Sequence, residues 1–387
     1  EPGMPRKEQP LHDAMRLFDE RFQDTKDTIV VIDEIQDSAK VYSLIRQFAR
    51  EFSCDFIITG SYLGKTLSRE YFQPVGDLDI MILDTLTFEE FLDAEGKRDL
   101  YNSVDLYGKS SHEAYDELKR YYDLYCQIGG YPAVVKTYLE TRDMEICQTE
   151  LDRVIHIFTE ESQGYFDNVL DINLFGQLLP AVAQTMIREK KGSVDLITEL
   201  SKIVYKQESS RLSKKSINQA IAWLYRSHIL DFCGKANDCN PTDISANSRF
   251  YFLDVGVCRS FLDMAGADLP TLRGIVNENF VYIDLLKRVR SRKISGTAPI
   301  FGLYKEGEID FLVNSRENYK TYGVEVKSGK TEGKTAQLLL KDEKVEAVYF
   351  LKGDTYGGIA DRKVTVPIYL VGRMQFDFVK EHTPVSS

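Results

Sequence analysis

The chemistry of this chain is concentrated where short apolar runs end in charged side chains. Residues Thr28–Gln36 read TIVVIDEIQ, an apolar run that leads directly into Asp33 and Glu34. In α/β folds such a run predicts a strand that is buried on both faces, so its side chains need not alternate. At the carboxyl end of such a strand, Asp33 can hold a Mg²⁺ ion and Glu34 can act as general base toward a water molecule. The alternative is a buried strand that ends in two solvated acids.

A second apolar run, Asp55–Tyr62 (DFIITGSY), ends in small hydroxyl residues. The stretch Ala39–Phe52 between the two runs has room for one crossover helix. The two strands can therefore lie parallel and present their carboxyl ends at the same edge of a sheet. Thr59 and Ser61 are then candidates to contact the same ligand as Asp33.

These two strands, together with the strings LTFEEFL at 86–92 and CQIGGYPAVV at 126–135, resemble the AAA-type ATPase family that carries a C-terminal domain of unassigned function. The resemblance implies ATP and Mg²⁺ as cofactors. It makes Asp33 the Walker B ligand of Mg²⁺ and Glu34 the base that orients the attacking water. It also implies that Thr59 and Ser61 sense the γ-phosphate.

One part of such an ATPase is missing from the sequence. The phosphate-cradling string G-x-x-x-x-G-K-[ST] should precede Thr28, but residues 1–27 contain a single glycine and no such string. The nearest sequence, Gly60–Thr66, has three residues between its glycines instead of four, so it would not present the same ring of backbone N–H donors. Gly76-Asp77 also stands where the family has a Gly-Arg pair, which removes a cation near the phosphates. We therefore expect either a truncated chain, with ATPase activity only in the full-length form, or a degenerate ATPase.

The C-terminal part of the sequence carries a second group of charged residues. The predicted elements are, in order, a helix at Leu272–Val289, strands at Ile300–Tyr304, Glu308–Val313 and Thr321–Lys327, a helix at Thr331–Val345, and a strand at Ala347–Leu351. Residues two apart on a strand point to one side, so Glu325 and Lys327 project together, beside Asp310 on the neighbouring strand. Oxygen ligands from Asp310 and Glu325, with the Val326 carbonyl, suit Mg²⁺ or Mn²⁺, and Lys327 would position the attacking water.

This order of elements resembles the restriction-endonuclease-like, or PD-(D/E)XK, core. Its signature acids match Glu278 on the helix, Asp310 on the second strand and the Glu325-x-Lys327 pair on the third, while Ile309 stands where the signature has Pro. The resemblance implies a metal-dependent nuclease with Glu278, Asp310 and Glu325 as metal ligands. Their expected neutralising neighbours are Lys327 and the bound cation. The alternatives are a solvated Glu/Lys pair on an edge strand, or a nuclease fold that persists without cleavage.

Between these two parts, three helical patterns precede two strands, which is the order of a winged helix. The helices are predicted at Leu174–Arg188, Ser193–Val204 and Lys214–Ser227, and the strands at Ile229–Gly234 and Ser248–Leu253. The third helix would enter the major groove of DNA, with four contact residues at or near its start: Arg211, Lys214, Lys215 and Gln219. The alternative is a winged helix that serves as a protein-packing module.

Composition limits the classes of function. The chain of 387 residues has a net charge of -11, so a DNA contact must come from a local basic face and not from a global field. Its 6 cysteines are scattered without paired Cys-x-x-Cys motifs, which predicts reduced thiols and no zinc site. The sequence shows no signal-peptide pattern and no apolar run near 18 residues, so we expect a cytoplasmic protein without membrane contact.

The sequence therefore predicts an α/β multidomain protein with four parts. These are an ATPase core with a partial AAA-type parallel α/β sheet (1–97), a helical lid (98–165), a winged-helix domain (166–262) and a restriction-endonuclease-like α/β domain (263–387). The predicted function is ATP-dependent action on or around nucleic acid, with DNA bound through the winged helix and the C-terminal domain. The alternative is a non-enzymatic, nucleotide-gated interaction or DNA-binding protein with an inactive nuclease fold, whose partner is a protein or a second copy of the chain.

Overall fold

A computed structural model describes residues 10–60, 79–164, 174–188, 195–207, 213–327, 333–354 and 356–378. Four predicted features lie outside these ranges: Ser61, Arg211, the pair Gly76-Asp77, and the short loop Gly60–Thr66 beyond its first residue. The chain divides into two compact units, residues 1–83 and residues 84–387.

The first unit contains a parallel pair of strands covered by helices. Its elements are α1 (Pro10–Phe18), β1 (Ile29–Ile32), α2 (Ala39–Ser43), α3 (Ile45–Glu51) and β2 (Asp55–Ile58). The strands pair in parallel from Ile29 opposite Asp55 to Ile32 opposite Ile58, as the crossover predicts. On one face, Ile32 and Ile58 pack against a core that includes Ile45.

The other face of this strand pair is exposed. The side chains of Ile29 and Val31 are 60% and 63% exposed, and that of Ile57 is 51% exposed. The expectation that Thr28–Ile32 forms a strand buried on both faces is therefore wrong for the described structure. Successive side chains of a strand alternate between faces, and the described helices of this unit pack on only one of them.

The second unit begins with a run of helices, and the segment 98–165, where the sequence predicts a helical lid, is mainly helical in its described residues. The helices are α4 (Phe88–Ala94), α5 (Arg98–Ser103), α6 (His112–Ile128), α7 (Pro132–Thr141), α8 (Met144–Gly164), α9 (Leu174–Arg188), α10 (Leu196–Gln207), α11 (Lys214–Arg226), α12 (Val255–Met264), α13 (Leu269–Arg290) and α14 (Lys334–Lys341). Within the described ranges, none of the helices is long and apolar enough to cross a membrane.

In the described part of the second unit, eight strands form one sheet. Its strands are β3 (Leu230–Ala236), β4 (Ile244–Phe252), β5 (Ile300–Tyr304), β6 (Gly307–Asn314), β7 (Thr321–Lys327), β8 (Val348–Lys352), β9 (Gly358–Ala360) and β10 (Lys363–Pro367). They lie in the order β4-β3-β5-β6-β7-β8-β10-β9. The hairpin β3–β4 of the predicted winged helix joins the C-terminal strands because β3 pairs in parallel with β5, from Gly234 opposite Ile300. Strand pairing thus crosses the boundary predicted at residue 262.

The Gly-Gly-Tyr-Pro string closes a tight junction between α6, α7 and α12. Asp254 caps α12, and one of its carboxylate oxygens accepts a hydrogen bond of 2.8 Å from the Gly130 amide. A Cβ on Gly129 would overlap the Asp254 carboxylate, and a Cβ on Gly130 would overlap the Leu86 carbonyl. Pro132 then starts α7, where its missing N–H is no loss. The string therefore has a packing role in this chain.

Candidate functional site

The strand ends in the first unit bring two predicted residues together. The Thr59 amide donates to the Ile32 carbonyl at 2.9 Å, which extends the strand pairing by one residue. The Thr59 hydroxyl donates a hydrogen bond to Oδ1 of Asp33, and the Glu34 amide donates to the same oxygen at 3.0 Å. Asp33 and Thr59 therefore lie side by side at the carboxyl edge of the strands, as a metal ligand and a phosphate sensor would.

Glu34 adopts an unusual backbone conformation beside them. Its φ of 53° lies in the left-handed region, which residues other than glycine seldom occupy. Its carboxylate accepts a hydrogen bond from the Gln36 amide group. Such outliers are frequent at functional sites, where surrounding contacts hold them. The predicted general base is thus oriented by a neighbour two residues further along the chain.

A bulge in β6 shapes the second group of charged residues. Ile300 pairs with Leu312, but Gly302 pairs with Ile309, so Asp310 and Phe311 together stand opposite the single residue between Ile300 and Gly302. A bulge of this kind bends the strand and changes the direction of a side chain. Asp310 lies at this irregularity and is almost completely buried.

Asp310, Glu325 and Lys327 meet as the sequence predicts. The β6–β7 register pairs Phe311 with Val324, so the next residues along, Asp310 and Glu325, are neighbours. Oδ2 of Asp310 accepts a hydrogen bond of 2.6 Å from the Val326 amide, and Nζ of Lys327 lies 2.6 Å from Oε1 of Glu325. Oε2 of Glu325 is buried and has no hydrogen-bond partner among the described residues.

Burial sets the pKa values of Asp310 and Glu325. Burial raises the pKa of Asp310 well above its ordinary value, and repulsion from Glu325 and Glu278 adds to the increase. Burial also raises the pKa of Glu325, although the Lys327 ammonium opposes the change. Burial alone would lower the pKa of Lys327, but the carboxylates of Asp310 and Glu325 outweigh it and raise that pKa. Asp310 and Glu325 therefore carry a proton more readily than exposed acids do.

Arg249 is a functional candidate that the sequence motifs did not indicate. Its guanidinium, on β4, lies 3.5 Å from Oε1 of Glu278 and 2.8 Å from Oε2 of Glu308. The Tyr251 hydroxyl donates to Oε1 of Glu278 as well. The expectation that Lys327 and a bound cation are the sole neutralising neighbours of the acids is therefore wrong. An arginine within the apolar strand SRFYFL was the available signal, because a charge on a buried strand needs a partner.

The donor chemistry of the site suits a hard divalent cation at Asp310 and Glu325. Both residues offer carboxylate oxygens as metal ligands. A buried carboxylate oxygen needs a hydrogen-bond donor or a cation beside it, and Oε2 of Glu325 has no hydrogen-bond partner among the described residues. Across the described ranges, however, no three His, Cys, Asp or Glu side chains are grouped closely enough to hold a metal ion. Glu278, the third predicted ligand, is engaged by Tyr251 and Arg249.

Three of the predicted nucleic-acid contacts, Lys214, Lys215 and Gln219, lie on the first turns of α11, and the fourth, Arg211, lies outside the described residues. Ser213 caps this helix by accepting a hydrogen bond of 3.1 Å from the Ser216 amide. Lys214, Lys215 and Gln219 are exposed. Nζ of Lys214 donates to the Thr198 hydroxyl of α10 at 2.8 Å, so this lysine also links two helices. The predicted surface is accessible, and whether DNA binds there stays a prediction.

Comparison with known families bears on the first unit and on the helices. Residues 119–268 match a model described as a domain of unknown function (DUF8612), which extends from α6 through α12. No curated protein matches the chain. Residues 4–92 match a model described as an AAA domain. This part of the chain is therefore similar to AAA domains, which supports an AAA-type, ATPase-like function with nucleotide binding, typically together with Mg²⁺.

Proposed function

We propose that Asp33, Glu34 and Thr59 form the metal-and-water half of an ATPase site. The hydrogen bond between Thr59 and Asp33 carries this proposal, because it joins a Walker B acid and a sensor hydroxyl at adjacent ends of parallel strands. Asp33 would hold Mg²⁺, Glu34 would accept the proton of the attacking water, and Thr59 would contact the γ-phosphate. Ser61 would act beside Thr59. The similarity of residues 4–92 to AAA domains supports the same assignment.

ATP hydrolysis tests this assignment. Because the 387 residues contain no G-x-x-x-x-G-K-[ST] string, we expect no appreciable ATP turnover by this chain. If a longer product of the reading frame supplies such a string, that product should hydrolyse ATP and lose this activity in Glu34→Gln. Turnover by the 387-residue chain that disappears in Glu34→Gln would show instead that the short loop Gly60–Thr66 serves the phosphates. Turnover that Glu34→Gln leaves intact would contradict the role of Glu34.

For the second unit we propose action on nucleic acid, with Asp310 and Glu325 as the ligands of a Mg²⁺ or Mn²⁺ ion. The buried, unpartnered Oε2 of Glu325 beside Asp310 supports this function. When bound, such an ion would supply a nucleophilic water and neutralise the charge of a phosphodiester. Lys327, held 2.6 Å from Glu325, would orient that water. The Val326 carbonyl is a further candidate ligand, whereas Glu278, the third ligand that the sequence predicts, is held by Tyr251 and Arg249.

Thermal stability in the presence of Mn²⁺ tests the metal site. Mn²⁺ should raise the melting temperature of the wild type, because an ion that binds the native state stabilises it by mass action. The increase should be much smaller in Asp310→Ala and unchanged in Glu317→Ala, which removes an exposed acid elsewhere. Equal increases in the wild type and Asp310→Ala would show that these acids hold no ion. The non-enzymatic interaction protein would then be the better interpretation.

A further inference from the structure

We propose that Arg249 is an internal counter-ion that limits the site of Asp310 and Glu325 to one divalent cation. This inference rests on the proposed metal site of Asp310 and Glu325. It assigns Arg249 and Tyr251 as positioning residues that keep Glu278 and Glu308 away from that site.

The position of the Arg249 guanidinium is set on several sides. The guanidinium contacts both Glu278 and Glu308, and its side chain is only 9% exposed. It also lies over the Phe301 ring, 4.0 Å from the ring centroid, where a cation is attracted to the π face. An arginine held in this way cannot move aside without losing all of these contacts at once.

Tyr251 fixes Glu278 from the same strand. Its hydroxyl donates to the oxygen of Glu278 that also faces Arg249. The Tyr251 ring stacks on Tyr282 of α13, with ring centroids 4.1 Å apart and planes 5° from parallel. Strand β4 thereby fixes the position of Glu278, the residue that α13 places beside the other carboxylates.

The balance between carboxylates and cations accounts for the expected binding of one divalent ion. A divalent cation is held by ionised carboxylates and displaces their protons. With the ion bound, four carboxylates, those of Glu278, Glu308, Asp310 and Glu325, therefore face two cations, Arg249 and Lys327. Two negative charges are left over, and one divalent cation neutralises them. Without Arg249 the surplus would be three, Glu308 would lose its ion-pair partner, and Glu278 would keep only the hydrogen bond from Tyr251. Coulomb attraction for divalent cations would then increase.

Equilibrium binding of Mn²⁺ to the whole 387-residue chain, followed by the electron paramagnetic resonance of the free ion, tests the inference. The wild type should bind one Mn²⁺. Arg249→Met should bind Mn²⁺ at least about tenfold more tightly, or bind a second ion, because one opposing charge at close range is gone. Arg249→Lys, which keeps the charge, should resemble the wild type. Unchanged affinity and stoichiometry in Arg249→Met, with one ion bound to the wild type, would overturn the inference and leave the proposed metal site intact.

A readout without metal separates the two proposals. In metal-free buffer Arg249→Met should lower the melting temperature, and adding Glu278→Gln with Glu308→Gln should restore much of the loss, because the unpaired acids are then neutral. If the wild type binds no Mn²⁺ but this restoration occurs, the metal site fails while the counter-ion role is supported. If no restoration occurs, the counter-ion role is overturned. Should Arg249→Met fail to fold, Arg249→Gln removes the charge and keeps hydrogen-bond donors, and unchanged Mn²⁺ affinity and stoichiometry in that variant would also overturn the inference.

Discussion

At the scale of single residues, close backbone approach explains the Gly-Gly-Tyr-Pro string better than chemistry does. Gly129 has a φ of 74° and a ψ of -166°, a combination that is essentially restricted to glycine. Gly130 lies against the backbone of Leu86, whose amide donates to the Gly130 carbonyl at 2.8 Å. The motif by which the sequence resembles a family therefore marks a packing junction in this chain.

Gly130→Ala should destabilise the protein by about 3 kcal/mol, because a Cβ would overlap the Leu86 carbonyl and backbone cannot give way cheaply. The matched control is Gly274→Ala in α13, where no described atom outside the neighbouring backbone of the helix lies within 4 Å of an added Cβ. That control should stabilise by about 0.5–1 kcal/mol, through the helix propensity of alanine. Urea denaturation of both variants checks the pair. Equal effects of the two substitutions would contradict the packing role.

Asp231 gives a pH dependence at the residue scale. Burial raises its pKa above the ordinary value of 3.8, so folding favours its protonated form. The stabilisation that protonated Asp231 contributes is therefore fully present below its pKa in the unfolded chain, and it is lost as the pH rises through its pKa in the folded protein. The stability of the wild type relative to Asp231→Asn should fall as the pH is raised from about 4 to about 8, measured by urea denaturation. A constant difference over this range would show that the pKa of Asp231 is the same in the folded and unfolded protein.

At the scale of elements, α11 carries the surface that the sequence predicts to contact DNA. Its first turns present Lys214 and Lys215 to solvent, and its apolar side buries Ile217 and Leu224. A protein with a net charge of -11 must rely on such local contacts to bind phosphates. Arg211 precedes this helix, and Gln219 lies on its exposed side.

Changing Lys214 and Lys215 together to Glu should abolish DNA binding, measured by the fluorescence anisotropy of a labelled duplex across a series of salt concentrations. Wild-type affinity should fall steeply with salt, because phosphate contacts release counterions. The matched control changes the exposed pair Arg292 and Lys293, on the turn after α13, to Glu, and it should have little effect on DNA affinity. Affinity that is insensitive to the Lys214 and Lys215 change would make the helices α9–α11 a packing module.

At the scale of the whole molecule, the continuous sheet defines what can fold alone. Strands β3 and β4 are joined to β5, and Asn279 of α13 binds both the amide and the carbonyl of Phe252 in β4. These contacts connect the segment before residue 262 to the segment after it. The second unit is therefore one compact body that contains both the predicted winged helix and the predicted nuclease-like strands.

A fragment of residues 84–387 should melt in one cooperative transition, whereas residues 263–387 alone should not, measured by circular dichroism. The shorter fragment lacks Arg249 and Tyr251, which leaves Glu278 and Glu308 without these partners, and it exposes the edge of β5. A cooperative transition in residues 263–387 would support the boundary predicted at residue 262. Loss of the transition in residues 84–387 would contradict the division into two units.

The sequence by itself determined the local features of this protein. The helices α9, α11 and α13 and the strands β5–β8 lie close to where apolar spacing and turn residues predict them, because these preferences act over a few residues. The two-residue spacing of Glu325 and Lys327 likewise placed both side chains together. The acidic pair at the end of β1 was enough to indicate Asp33 as a candidate ligand, and Asp33 does lie at the strand ends beside Thr59.

Only the tertiary structure decided which distant groups meet. The partners of Glu278 come from β4, about thirty residues earlier in the chain, and the bulge at Asp310 depends on the register with β5. The exposure of Ile29 and Val31 depends on which helices pack nearby, and the joining of β3 to β5 depends on pairing across more than sixty residues. Short-range propensities carry no information on such pairings, because burial, register and counter-ion contacts are set by the whole fold.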